Sequence, residues 1–126
     1  MPLLTGNDDV RSNRQGVILL AGNFTIGSSS AVSSQDFPGV TVTKKGTATW
    51  TITCDEAFAK LLACSFIIYQ QGSPADVHVQ RNSTYSSTTG AVDIATVDTS
   101  TPSDTELQSG DVIDCILVMQ PTTAGL

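Results

Sequence analysis

The chain has 126 residues, of which 40% are hydrophobic and 14% are charged, and its net charge at pH 7 is −6. This length predicts a single domain with one core, and the shortage of basic residues argues against a nucleic-acid binder, which needs clustered Lys and Arg against phosphate. The longest apolar run, near Val17–Ala21, is far too short to cross a bilayer, so we expect no membrane protein.

The first part of the sequence has a different character from the rest. Residues 1–15 are polar and show no periodicity, which predicts an arm outside the core, followed by a β-sandwich domain over residues 16–126. The first residues do not show the charged region followed by an apolar region that is typical of a secretory signal peptide. We therefore expect a protein made in a reducing cytosol. In that compartment Cys54, Cys64 and Cys115 are expected to be buried free thiols.

Alternation of apolar and polar residues predicts β-strands throughout this domain. The first strand should run from Gly16 to Ile26, with a bulge or sharp bend at Gly22–Asn23, where positive φ is permitted. A Ser-rich loop is expected to follow from Gly27 to Gly39. The 14 Ser and 17 Thr residues suit this pattern, because Thr favours strands and Ser favours turns.

A hairpin and one short helical turn are predicted next. Val40–Lys44 and Thr47–Cys54 alternate on either side of Lys45–Gly46, and Trp50 falls on the apolar side of the second strand. Asp55 then stands where a helix N-cap would, with apolar residues at helical spacing behind it, so residues 55–62 are predicted to form a helical turn.

The second half of the chain predicts four further strands. Cys64–Tyr69 is a nearly continuous apolar run, which indicates a strand buried on both faces. Gly72–Pro74 should end it, because proline supplies no ladder donor. Val77–Arg81, Ala91–Val97 and Asp111–Met119 are the remaining strands. Seven or eight strands predict an all-β sandwich or barrel-like domain.

The sequence shows no arrangement of residues for catalysis or for a cofactor. His78 is the only histidine, and its neighbours Val77 and Val79 should point inward and leave it on the surface. No metal-ligand spacing accompanies it, and no Gly-x-Ser-x-Gly motif is present. We therefore expect neither an enzyme nor a metal protein. Asp98, Asp104 and Asp111, around the late acidic loop, leave calcium open as an alternative.

The aromatic residues divide into core candidates and one contact candidate. Trp50, Phe58, Phe66 and Tyr69 lie in segments with strong core signals, so core packing is the expected role of each. Tyr85 lies in a Ser- and Thr-rich loop and is the aromatic residue expected to be exposed for contact with a partner.

The order of these features resembles a known family over roughly residues 14–120. Arg14–Phe24, the strand Gly46–Cys54, the segment Asp55–Leu62 and the Asp-preceded final strand are similar to small structural proteins of tailed bacteriophages, in particular to capsid decoration (cement) proteins. The resemblance implies a β-sandwich on the outside of the virion head, often a homotrimer, that binds the major capsid protein and stabilises its lattice after assembly in the bacterial cytoplasm.

Partner contacts are expected from Arg11 and Arg14 in the arm and from Tyr85. The apolar runs Val17–Ala21 and Ile113–Met119 exceed what one face of a small sandwich must bury, which also predicts a homo-oligomer. The alternative is a tail-associated or receptor-binding β-module that recognises a bacterial surface glycan.

Overall fold

The computed structural model describes residues 16–71, 77–100 and 104–121, which form a β-sandwich of two four-stranded antiparallel sheets. The strands are β1 Ile18–Ile26, β2 Val32–Asp36, β3 Val40–Gly46, β4 Thr49–Cys54, β5 Lys60–Tyr69, β6 Val77–Arg81, β7 Ala91–Asp98 and β8 Val112–Gln120. Sheet A has the order β2-β1-β8-β5, and sheet B has the order β3-β4-β7-β6. The predicted all-β sandwich is thus confirmed, with eight strands in the described ranges. The predicted arm and the strand end at Gly72–Pro74 lie outside these ranges.

The core forms where the inward side chains of the two sheets meet. Alternate residues of each strand point into it, as the pleat of a strand requires. Its largest fully buried members come from both sheets: Phe24, Ile26, Ile113, Leu117 and Met119 from sheet A, and Trp50, Ile52 and Ile94 from sheet B. The inward positions predicted for β4, with Trp50 among them, are therefore confirmed.

Trp50 connects sheet B to the segment that joins the first two strands of sheet A. Its indole N–H donates a hydrogen bond to the carbonyl oxygen of Ser30 at 3.0 Å, within a 3-10 turn at Ser28–Ser30. The hydroxyl of Ser30 in turn donates to the carbonyl oxygen of Leu107 at 2.7 Å. Lys44 Nζ lies 4.4 Å from the Trp50 ring centroid and 2.5 Å from Glu106 Oε1. Hydrogen bonds and an ion pair, and not apolar side chains, thus cover this end of the core.

Gly22 allows β1 to lie against the chain that leaves β2. A Cβ atom at this position would stand 2.4 Å from the carbonyl oxygen of Asp36 and 2.6 Å from the Cα of Phe37, closer than any side chain can approach. The predicted bulge at Gly22–Asn23 is wrong, because β1 pairs with β8 in unbroken register through both residues. The irregular step in β1 lies instead between Thr25 and Ile26, in the pairing with β2.

One sheet edge is covered by a side chain. Gln35 of β2 accepts a hydrogen bond from the backbone N–H of Val42 at 3.0 Å, and its amide nitrogen donates to the carbonyl oxygen of Val40. Both backbone groups belong to β3, the edge strand of sheet B. The amide therefore takes the place of a further strand at that part of the edge.

Three further predictions of local structure are wrong. The Ser-rich segment from Gly27 to Gly39 is not only loop, since it contains β2 and the 3-10 turn. Residues 55–62 form no helical turn; Phe58 is buried, and β5 already begins at Lys60. The run Cys64–Tyr69 is not buried on both faces, because exposed and half-buried residues alternate along β5.

Burial of Trp50 predicts a large difference between two substitutions. Trp50→Ala removes a fully buried indole and its hydrogen bond, so we expect the free energy of unfolding to fall by about 3–5 kcal/mol. His78→Ala is the control: His78 is exposed, and a surface substitution of this kind changes stability by less than about 0.5 kcal/mol. Urea unfolding midpoints of both variants check this, and a larger loss for His78→Ala would contradict the assignment of faces in β6.

Candidate functional site

The outer faces of the two sheets differ in chemistry. The outer face of sheet B carries hydroxyl groups and an ion pair. Asp93 accepts a hydrogen bond from Thr51 Oγ1 at 2.8 Å and forms an ion pair with Lys45. The hydrogen bond from Lys45 lowers the pKa of the Asp93 carboxyl below its ordinary value. Asp93, Lys45 and Thr51 are therefore partnered with one another within the fold, and this polar face suits contact with water.

The outer face of sheet A is the candidate site. Ile67, Tyr69 and Ile116 are 66%, 61% and 44% exposed there, and they are the large hydrophobic residues that the described chain leaves in solvent. Ile67 and Ile116 line one shallow depression with Ala21 and Ser65. We call this surface, centred on β8 and β5, the apolar face. Exposed apolar surface of this kind marks a contact site when its residues are contiguous.

A carboxylate stands in the middle of the apolar face. Asp114 of β8 is paired in register with Ile67 of β5 on one side and with Asn23 of β1 on the other. It is exposed and lines the same depression. No hydrogen bond or ion pair joins its side chain to another group in the part of the chain that the structure describes. Asp114 is thus a charge available to a partner that covers this face.

A second surface lies where the edge strands β5 and β6 meet. Lys60, at the start of β5, and Arg81, at the end of β6, are both exposed and line one small depression. The other residues of this depression are Ala59, Leu61, Thr84 and Tyr85. We call this surface the basic corner. It combines two cations with apolar side chains.

The residues predicted to contact partners are only partly placed. Arg11 and Arg14 lie outside the described residues. Tyr85 lies in the basic corner, but it is half-buried and packs against the core, and its hydroxyl donates to the carbonyl oxygen of Phe58 at 2.8 Å. Burial raises the pKa of the Tyr85 phenol above its usual value. The expectation that it is freely exposed is therefore wrong.

Tyr69 is the exposed aromatic residue, and the sequence interpretation placed it in the core. A signal was present, because Ser65 and Tyr69 share the same parity in β5, as do Asp114 and Ile116 in β8. A polar residue marks the outer side of a strand, so the apolar residues at even spacing from it face outward too. The continuous apolar run concealed this alternation.

The described residues contain no cluster of three or more His, Cys, Asp or Glu side chains placed to hold a metal ion. Asp111, a member of the acidic segment considered for calcium, is buried. Its carboxylate accepts hydrogen bonds from the backbone N–H groups of Gln71 at 3.0 Å and Gln108 at 2.9 Å. Asp111 therefore fixes the loop before β8 to the end of β5, which accounts for a buried carboxylate without a metal.

The three cysteines are free thiols. Cys54 and Cys115 are buried, as predicted, whereas Cys64 is half-buried. Burial, with a further contribution from Asp55, raises the pKa of Cys54 to about 11, and burial together with Asp114 raises that of Cys115 to about 12. Because the thiolate is the reactive form, neither Cys54 nor Cys115 has the environment of a nucleophile.

Comparisons with protein-family models, with curated proteins and with solved structures found no match to this chain. Among the residues described, no helix has the length and apolar character needed to span a membrane. The candidate site is therefore defined by geometry alone, as an apolar face with one carboxylate and a basic corner at the edge of the same sheet.

The different surroundings of two tyrosines predict different effects of losing a hydroxyl. Tyr85→Phe removes the hydrogen bond to Phe58, so we expect the free energy of unfolding to fall by about 0.5–1.5 kcal/mol. Tyr69→Phe is the matched control on the exposed apolar face, and its midpoint in urea should equal that of the wild type. Equal midpoints for all three proteins would show that the Tyr85 hydroxyl does not hold the basic corner together.

Proposed function

We propose that this protein is a capsid decoration (cement) protein of a tailed bacteriophage. It forms a homo-oligomer, a trimer by resemblance, on the outer surface of the head, where it binds the major capsid protein and stabilises the lattice. It assembles in the cytoplasm of the host bacterium and becomes part of the virion. It acts by binding the capsid. It catalyses no reaction, uses no cofactor, and binds neither nucleic acid nor a membrane.

The observation that carries this proposal is the apolar face. Ile67 and Tyr69 are more than half exposed on a regular sheet, next to strands whose opposite sides form the core. Leaving such side chains in water is unfavourable, and proteins cover surfaces of this kind by association. A small sandwich with this surface, and no cluster for metal binding among the described residues, fits a structural protein better than an enzyme.

Binding to a repeating lattice explains how modest contacts can suffice. If one copy contacts several capsid subunits, or several linked copies each contact one, the second contact forms at a high effective concentration. Occupancy is then high although each separate contact is weak. The β-sandwich supplies a rigid body for this purpose, because its two sheets share one core.

One observation favours a second function, a tail-associated or receptor-binding module that recognises a surface glycan. Tyr69 presents an exposed ring, and Gln71, two residues further on, is also exposed; sugars stack on aromatic rings, and amides form hydrogen bonds with their hydroxyls. Under this proposal, Tyr69→Ala would abolish retention on host cells. A decoration protein would show no retention on host cells with or without the substitution.

The arm is the part of the chain that we expect to contact the capsid. Residues 1–13 carry Arg11, are polar and precede a domain whose described part already forms a closed core. Their deletion should leave the thermal unfolding midpoint unchanged but reduce retention on heads assembled without this protein. Occupancy after washing, measured by quantitative gel analysis, checks this prediction.

A double substitution separates charge from length. Arg11→Ala with Arg14→Ala keeps the arm and removes both of its cations, so partial loss of occupancy is expected, because ionic contacts add to binding without carrying all of it. If truncated and wild-type protein bind equally, the arm is not the anchor. Absence of binding by the wild type would contradict the decoration function itself.

A further inference from the structure

Of the four basic residues in the described ranges, two form ion pairs within the fold and two do not. Lys44 pairs with Glu106, and Lys45 pairs with Asp93. Lys60 and Arg81 make no ion pair with any described residue, although the chain carries an excess of acid. These two cations lie together in the basic corner, where they are exposed. The corner is therefore a positive site on an otherwise acidic protein.

The apolar face carries a charge of the opposite sign that is unpaired among the described residues. Asp114 lies between Ile67 and Asn23 in one cross-strand row, Asp36 of β2 follows Asn23 in that row, and none of these four residues is a cation. A partner that covers Ile67, Tyr69 and Ile116 must also cover Asp114, because these side chains are neighbours on adjacent strands. A carboxylate covered without a cation or a hydrogen-bond donor is costly.

We propose that the apolar face of one copy binds the basic corner of a second copy, with Asp114 opposite Lys60 and Arg81. The inference rests on the homo-oligomer that is part of the proposed function, and it names the two surfaces that form it. The corner offers apolar contacts from Leu61 and the ring of Tyr85, so it matches the face in both hydrophobic and ionic character.

A symmetric contact between two apolar faces is less favourable. It would place two Asp114 carboxylates in one apolar interface, and the residues that flank each of them on the adjacent strands, Ile67 and Asn23, carry no positive charge to compensate it. Contact between two basic corners would oppose cations in the same way. Binding of face to corner removes both conflicts.

The geometry of this contact has a consequence for assembly. The apolar face and the basic corner are different surfaces, so each copy keeps one free face and one free corner after pairing with a second copy. Such a heterologous contact closes into a ring when the rotation between copies permits it. β5 takes part in both surfaces, since Lys60 is at its start and Ile67 and Tyr69 are at its end. One strand thus links successive contacts around the ring.

The test is sedimentation velocity of the purified protein over a range of concentrations, with substitutions that reverse charge. We expect the wild type to associate. Asp114→Lys, and separately Lys60→Glu with Arg81→Glu, should each raise the apparent dissociation constant at least about tenfold, because like charges then meet. The chain with all three substitutions has the charges exchanged and should associate within about threefold of the wild type.

Two controls accompany these variants. Asp104→Lys makes the same change of net charge as Asp114→Lys, but at an exposed residue of the loop before β8, and it should leave association unchanged. Thermal unfolding midpoints show that each variant is folded, which is expected because Lys60, Arg81 and Asp114 are all exposed.

Several results would overturn the inference. A wild type that remains a monomer up to about 100 μM, where specific interfaces normally associate, would do so. Failure of the charge-exchanged chain to recover association would show that Asp114 and the basic corner do not meet. Stronger association of Asp114→Asn, with no effect of the corner substitutions, would indicate a symmetric contact between faces. A monomeric wild type that binds heads through Asp114 would overturn this interface and leave the proposed decoration function standing.

Discussion

The hydrogen bond from Trp50 to Ser30 is the interaction on which the rest of the structure depends. It joins the centre of sheet B to the turn between β1 and β2 of sheet A, inside a core where the indole has no contact with water. Ser30 extends the connection to Leu107, and Lys44 extends it to Glu106. Burial tends to raise the pKa of Glu106, but its hydrogen bonds from Lys44 and the Ala48 amide outweigh this and lower it, so the carboxylate stays ionised next to Lys44. The network thereby joins the β1–β2 turn of sheet A and the loop before β8 to the centre of sheet B.

The two outer faces differ in whether their charged groups are partnered within the fold. On sheet B, Thr51 and Lys45 satisfy Asp93 within the fold. On sheet A, Asp114 has no partner among the described residues, and it stands beside Ile67 on the apolar face. The raised pKa values of Cys54 and Cys115 keep both buried thiols protonated, and protonated thiols are unreactive.

The fold was predictable from the sequence where one face of a strand is polar, and less so where both are apolar. Alternation identified β3, β4, β6 and β7, because Thr in β3 and β4, His78 and Gln80 in β6 and Asp93 in β7 mark their outer sides. It failed for β2, where Val32–Asp36 is polar and held at a sheet edge by pairing with β1, a tertiary contact that no local pattern reveals. Helical spacing at Phe58 and Leu61 was misleading, since Phe58 is buried from a loop and Leu61 already belongs to β5.

The candidate site was harder to predict than the fold. Tyr85 was expected to be exposed because it lies in a loop, but its ring packs against the core and its hydroxyl bonds Phe58. Lys60 and Arg81 are far apart in sequence, and only the meeting of two sheet edges brings them together. At the opposite edge, Gln35 occupies the free hydrogen-bonding groups of Val40 and Val42. A protein at high local concentration is exposed to edge-to-edge polymerisation into cross-β aggregates. The Gln35 amide occupies part of the β3 edge, so in a crowded solution side-chain surfaces, and not this stretch of backbone, decide which molecules adhere.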